Sequence, residues 1–203
     1  MTKGEQTFDP ATHTYRIDGR PVPSVTQVLG DVLPGWQASE WYLERGRAVH
    51  ACAAMIAKGQ TFTHDPQIDG QVRALRRFFA EVKPLVLAVE QQVYSTSYRY
   101  AGTLDLLTRK PGGLQLMVVD FKASLAPATL YQCAAYALAY DDGPNAGRVP
   151  VNLGCGVEIR DDGTYKMSEV WNLKQYKPQW LALLTAYNIR RRCGVTETKV
   201  GEV

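Results

Sequence analysis

The stretch Leu114-Gln-Leu-Met-Val-Val-Asp-Phe-Lys122 decides how the rest of the chain is read. Leu116 to Val119 form an unbroken apolar run, the pattern of a strand covered on both faces. That run ends in Asp120 and Lys122, and burying a charge is costly unless it is paired or bound to a metal. Residues two apart in a strand point the same way, so both side chains stand over one spot. Upstream, residues 99–109 are rich in Leu, Tyr and Thr, and Lys110-Pro-Gly-Gly113 is a turn signal between the two strands. With residues 110–113 as the loop, Arg109 opposes Leu114 and Asp105 opposes Val118. Asp105 then shares a face with Asp120 and Lys122, and Asp120 takes the diagonal position, Cβ atoms roughly 7–8 Å away. Two carboxylates that close repel, and a divalent cation between them relieves the repulsion. A slip of one residue would turn Asp105 to the other face. For Asp120 and Lys122 alone, an ion pair closing a strand end is the structural alternative.

Working outward, Thr14 to Ile17, Asp18-Gly19 and Arg20 to Val22 read as a short hairpin, because Asp-Gly favours a tight turn. Ser24 with Gln27 is a capping-box pattern that opens a helix to about Leu33, and Pro34-Gly35 breaks it. A second helix is expected from Trp36 to Lys58 with Gly59 as its cap, and a third from about Ile68 to Val82. Residues 85–97 have strand texture. Ala128 to Tyr140 is apolar and alanine-rich, hence a buried helix. Val151 to Arg160 and Thr164 to Trp171 flank Asp161-Asp-Gly163 as a further hairpin, and a last helix runs from about Gln175 to Arg192 before a frayed tail. The order implies one α/β domain over residues 1–203: an N-terminal hairpin with helices to residue 84, then a mixed central sheet flanked by helices.

Composition fits that picture. The 203 residues are 45% hydrophobic and 21% charged, ordinary globular values. No apolar run approaches the ~18 residues a membrane span needs, and MTKGEQTFDP lacks the apolar stretch of a secretory signal. A cytoplasmic protein with no membrane partner is the expectation. The net charge of +3 and pI of about 8.6 permit a nucleic-acid partner without requiring one. Arg73, Arg76 and Arg77, and Arg190 to Arg192, are local basic clusters that serve equally as solvated helix faces. Cys52, Cys133, Cys155 and Cys193 are too far apart for a metal knuckle and read as small buried thiols.

Gly102-Thr-Leu-Asp105, then Val-Val-Asp120-Phe-Lys122, then Gln132-Cys-Ala-Ala-Tyr136, with Gly46-Arg-Ala-Val-His50 upstream, resembles the RecB-like branch of the PD-(D/E)XK nuclease superfamily. Val22-Pro-Ser-Val-Thr26 is similar to a front-end segment of the mitochondrial genome maintenance exonuclease and of phage exonucleases. The resemblance covers roughly Pro21 to Tyr187 and implies a restriction-endonuclease-like core. It implies a metal-dependent DNA exonuclease acting on ends with single-stranded character, in phage or cellular recombination and repair. An endonuclease on the same scaffold and a catalytically inactive DNA-binding module are the alternatives. DNA is the implied partner, with a single-strand-binding or annealing protein as a further one.

Residue by residue, the resemblance assigns Mg²⁺ or Mn²⁺, one or two ions, to His50, Asp105, Asp120 and the carbonyl of Phe121. Lys122 would orient or activate the attacking water. Glu90 would complete the metal site or hold Lys122. Gln132 and Tyr136, one helical turn apart, would contact the DNA backbone, with Ser124, Arg47, Arg73, Arg77 and Tyr100 as further DNA contacts. Against these stand plainer roles. His50 suits an ordinary half-buried histidine, Tyr136 suits core, and Ser124 suits a helix cap. Tyr94, Tyr98, Arg99 and Tyr100, with Trp36 and Trp41, are either a stacking surface or sheet packing. Some relatives hold an iron–sulfur cluster with three grouped C-terminal cysteines, and only Cys193 lies C-terminal of Cys155, so no cluster is expected.

Overall fold

A computed structural model describes residues 5–33, 40–110, 112–143 and 148–195. The N-terminal hairpin forms where expected, β2 (Thr14–Ile17) and β3 (Arg20–Val22), with Asp18 and Gly19 at φ 54° and 70° in the turn. A further strand, β1 (Gln6–Asp9), pairs with β2 and completes a three-stranded sheet. Helix α1 (Val25–Val32) starts at the complete Ser24–Gln27 capping box. Helix α2 (Glu40–Ala57) covers most of the second expected helix, and Trp36 lies outside the described residues. After a turn of 3₁₀ helix, α3 (Asp69–Val82) follows, ended by Lys83 in the left-handed region.

The main sheet takes the order β4 (Leu85–Ser95), β5 (Tyr100–Arg109), β6 (Leu116–Lys122), β7 (Val151–Ile159), β8 (Tyr165–Met167), and β9 (Trp171–Asn172) pairs with β7. Strands β4 to β6 run antiparallel, β6 and β7 parallel, and β8 and β9 antiparallel to β7. Helix α4 (Pro127–Asp142) makes the crossover that a parallel β6–β7 pair requires. The expected second strand of the last hairpin is broken in two, because Ser168 turns back to bond Gly156. Helix α5 (Lys177–Arg192) closes the chain.

The apolar alternation along β6 sorts the core into two layers. Leu116 and Val118 pack with Leu104, Leu107 and Tyr100 under α1, α4 and α5, around Trp180 and Leu29. Met117, Val119 and Phe121 pack under α2 and α3, against Val49, Cys52, Leu75 and Phe78. A mixed sheet flanked by helices is therefore the architecture, as the sequence implied. The small N-terminal sheet rides on β4 and β5. Tyr15, Ile17 and Val22 pack on Tyr94 and Ala101, and Ala101 N–H donates to the Pro23 carbonyl at 3.1 Å.

The β5–β6 turn corrects the expected register. Arg109 pairs with Leu116, and the connection spans residues 110–115, closed by Lys110 N–H to the Gln115 carbonyl at 2.9 Å. Leu114 is 76% exposed in that loop instead of opening the strand. The register differs by two residues and not one, so every side chain keeps its face. Carried one step past its last pair, Leu106 with Val119, it sets Asp105 across from Asp120 rather than Val118.

Candidate metal centre and strand-end acids

The β5–β6 ladder stops where the acids begin. Beyond Leu106–Val119, the Phe121 N–H donates to the Asp105 carboxylate at 2.7 Å, so a side chain takes the acceptor place a backbone carbonyl would fill. The other Asp105 oxygen meets His50 Nδ1, from α2, at 3.0 Å. Glu90 sits on β4 at φ 47°, between the pairs Val89–Leu106 and Gln91–Leu104, which places it abreast of Asp105. A non-glycine residue is rarely found there, and such backbone collects at sites where a side chain must be aimed. Its Oε1 lies 3.9 Å from His50 Nδ1, and one ligand atom each from His50, Glu90 and Asp105 falls within 4.8 Å of the others.

Asp120 is fully buried, with Oδ2 2.5 Å from Lys122 Nζ as an ion pair. Neither Asp120 oxygen accepts an aligned hydrogen bond from the described residues. Lys122 alone offsets the cost of burying this carboxylate, and Oδ1 has no partner among the described residues. Burial pushes its pKa up to about 6, with Lys122 opposing and Asp105 adding to the rise. Glu90 is pushed up to about 7, first by burial and then by the Asp105 charge. Burial disfavours the charged forms of His50 and Lys122, yet the carboxylates outweigh it and raise both. Asp105 alone is lowered: burial opposes, but the charge and hydrogen bond of His50, with Lys122, prevail. Three carboxylates, one imidazole and one ammonium thus share a small volume and hold more negative charge than their own cations balance.

The donor set suits a hard divalent ion. Two carboxylates and an imidazole converge. Beside them Asp120 has Oδ2 on the Lys122 ammonium, and its Oδ1 has no partner among the described residues. A cleft of about 350 Å³ opens against this centre, lined by His50, Lys122, Ala123, Arg45, Gln71 and Asp161 among others. Sequence reasoning missed its far wall. Arg45 bonds Asp161 at 2.9 Å, and Gln71 donates to the same carboxylate. Gly70 permits this, since a Cβ there would lie 1.7 Å from the Asp161 carbonyl oxygen. No spacing rule flags a glutamine on one helix and an aspartate in a turn ninety residues later.

The other expected contacts divide. Arg47 and Ser124 are exposed. The cap residue of α4 is Ala126, so Ser124 does not cap it. Arg73 and Arg77 lie on the outer face of α3, in ion pairs with Asp69 and Glu81. Gln132 and Tyr136 are buried and bonded to each other at 2.8 Å. Tyr136 packs against Gly102, where a Cβ would lie 2.6 Å from its ring, which explains the glycine of Gly102-Thr-Leu-Asp105. Tyr100 is a correction: it is fully buried on Trp180 with its hydroxyl on the Ala135 carbonyl, so it presents no face to a base. Tyr94 is likewise core, while Arg99 staples the hairpin through Asp18 and the Ile17 carbonyl. The side chain of Trp41 lies outside the described residues. Cys52, Cys133 and Cys155 are buried as expected, but Cys193 is exposed.

No protein-family model matches the chain, and no curated protein matches it in sequence. Among solved structures, an alkaline exonuclease (LHK-Exo) from Laribacter hongkongensis aligns at 14% identity and TM-score 0.40, over 85% of this chain and 94% of that one. The same exonuclease in complex with dAMP aligns at 14% identity and TM-score 0.39, over 86% and 94%. No helix among the described residues is long and apolar enough to cross a membrane.

Proposed function

We propose that this chain is a metal-dependent deoxyribonuclease of the PD-(D/E)XK type that removes nucleotides from DNA ends. The observation that carries the reading is the convergence of Glu90, Asp105 and His50 beside a buried Asp120 paired to Lys122. Mg²⁺ or Mn²⁺ would be held by Asp105, Glu90 and His50, with Asp120 and the Phe121 carbonyl as further oxygen donors. When bound, such an ion lowers the pKa of the attacking water and offsets charge on the pentacoordinate phosphate.

The chain's own groups do the rest. Lys122 is kept protonated by Asp120 and Asp105, so it serves as a charge and a donor rather than as a base. Its Nζ would donate to the attacking water and to a non-bridging phosphate oxygen. Asp105, tied to the Phe121 N–H and to His50, holds its carboxylate in one orientation. The cleft beside Lys122 would receive the scissile phosphate.

The test is digestion of end-labelled single- and double-stranded DNA, and of covalently closed single-stranded circles, with Mg²⁺ or with EDTA. Loss of linear DNA with Mg²⁺ alone, circles surviving, is the expected result. Cut circles would select the endonuclease alternative. Intact DNA of every form with Mg²⁺ and, in a parallel digestion, with Mn²⁺ would overturn the reading.

A further inference from the structure

The far wall of the cleft is built where three elements meet. Arg45 of α2 pairs with the Asp161 carboxylate at 2.9 Å, and Gln71 of α3 donates to its other oxygen. Asp161 itself stands in the turn between β7 and β8. That turn is also held along α3. Gly70, lacking a Cβ, lets the helix lie against the Asp161 carbonyl, and Gly163, at φ 87°, packs on the Arg73 side chain. Farther along, the Tyr165 ring meets Phe78 edge-on at 5.5 Å between centroids, and its hydroxyl donates to Glu81 at 2.9 Å. Contacts spread from Gly70 to Glu81 fix the turn to the helix, so this wall is a standing part of the fold.

Size and charge then decide what the cleft can take. Its volume of about 350 Å³ falls at the small end of the ~300–1,000 Å³ range of ligand-sized pockets, room for a nucleotide but not for a strand running on. A strand continuing over the wall would meet carboxylates. The Asp161 side chain is 72% exposed, and Asp162 beside it is exposed as well, fixed by the Thr164 N–H at 2.8 Å. A phosphate placed there faces like charge.

We propose that the Arg45–Asp161–Gln71 clasp is an end-stop that sets the specificity of the site. It makes the cleft blind, so the nucleotide that enters past the scissile phosphate must be a terminal one. The end-stop rests on the nuclease reading above, which puts the scissile phosphate beside Lys122, and it names the residues that restrict cleavage to ends. Specificity of this kind comes from shutting out the wrong substrate and needs no contact with a base.

The test is digestion, with Mg²⁺, of a labelled linear single strand and of a closed single-stranded circle, the lengths of the released products being resolved. Wild-type protein should release single nucleotides and spare the circle. Asp161→Ala removes the carboxylate from an exposed position, where an ion pair adds little stability, so the fold survives. It should release longer products and raise cleavage of the circle, relative to the linear strand, about ten-fold or more. Gly70→Ala pushes the turn off α3 without removing a polar group and should shift both readouts the same way, and Asp161→Ala decides the matter should Gly70→Ala fail to fold. Lys166→Gln, on β8, should shift neither. Single nucleotides and an intact circle from Asp161→Ala would overturn the end-stop while sparing the nuclease reading. So would an equal loss on both substrates, the mark of a merely structural role. A wild-type protein that cuts the circle would overturn the end-stop in favour of an endonuclease, and one that cuts neither substrate would overturn both readings.

Discussion

At the scale of single residues, the acids are the informative feature, because their protonation can be read without substrate. Asp120 and Glu90 are raised to about 6 and about 7 from values of 3.8 and 4.5. The folded chain therefore keeps protons that the unfolded chain has already released, and stability falls as pH rises through that window. His50, also raised, contributes stability below its ordinary value and loses it in the same direction. The contribution of Asp105, whose pKa is lowered, is lost only in acid, below its ordinary value of 3.8, and does not offset the trend. The ion-free protein should melt at a lower temperature at about pH 8 than at about pH 5.5, and Glu90→Gln should flatten the difference. A melting temperature in EDTA that climbs over this interval would contradict the charge balance of the site. Lys122→Ala belongs to the same scale: cleavage should drop by at least about two orders of magnitude, measured on labelled DNA with Mg²⁺. Full activity of that variant would remove Lys122 from the site.

Among elements, the β5–β6 hairpin shows what spacing determines and what it leaves open. The apolar run 116–119 and the Asp120–Lys122 ending were legible, since a doubly covered strand has a composition of its own. The turn width was not. Pro-Gly-Gly suggests a tight reversal, yet Gln115 pairs with Lys110 and widens it by two residues. The faces survived because two is the period of a strand. Tyr100 failed for another reason. An aromatic in a strand looks the same from sequence whether it packs or protrudes, and here α4 and α5 cover it. Gly102 was legible as a motif but not as a contact, and its role emerges only against Tyr136. Gly102→Ala should overpack that junction and destabilise by about 1–3 kcal/mol in urea unfolding. A neutral substitution would show that the Tyr136 ring can move away, and the link between β5 and α4 would be looser than drawn here.

Over the whole molecule, the site is assembled from parts far apart in the chain. His50 comes from α2, Glu90 from edge strand β4, Asp105 and Asp120 from neighbouring strands, and the far wall of the cleft from α3 and the β7–β8 turn. Folding must bring all of them together and then hold the excess negative charge. In the ion-free state protons carry part of that burden, because burial first and the Asp105 charge after it raise Glu90 and Asp120. A divalent ion competes with those protons and binds only the folded arrangement, so it stabilises by mass action. The competition fixes a sign: less acid, tighter binding. Mn²⁺ should raise the melting temperature more at about pH 8 than at about pH 5.5, with a gain near 2.7 kcal/mol when the ion is present at about a hundred times its dissociation constant. Asp105→Asn should lose most of that response while a surface change such as Lys166→Gln keeps it, since Asp105 touches both His50 and the Phe121 amide. A Mn²⁺ shift of the same size at both pH values, or one that survives Asp105→Asn, would place the ion elsewhere on the protein and leave the strand-end acids as a paired, purely structural cluster.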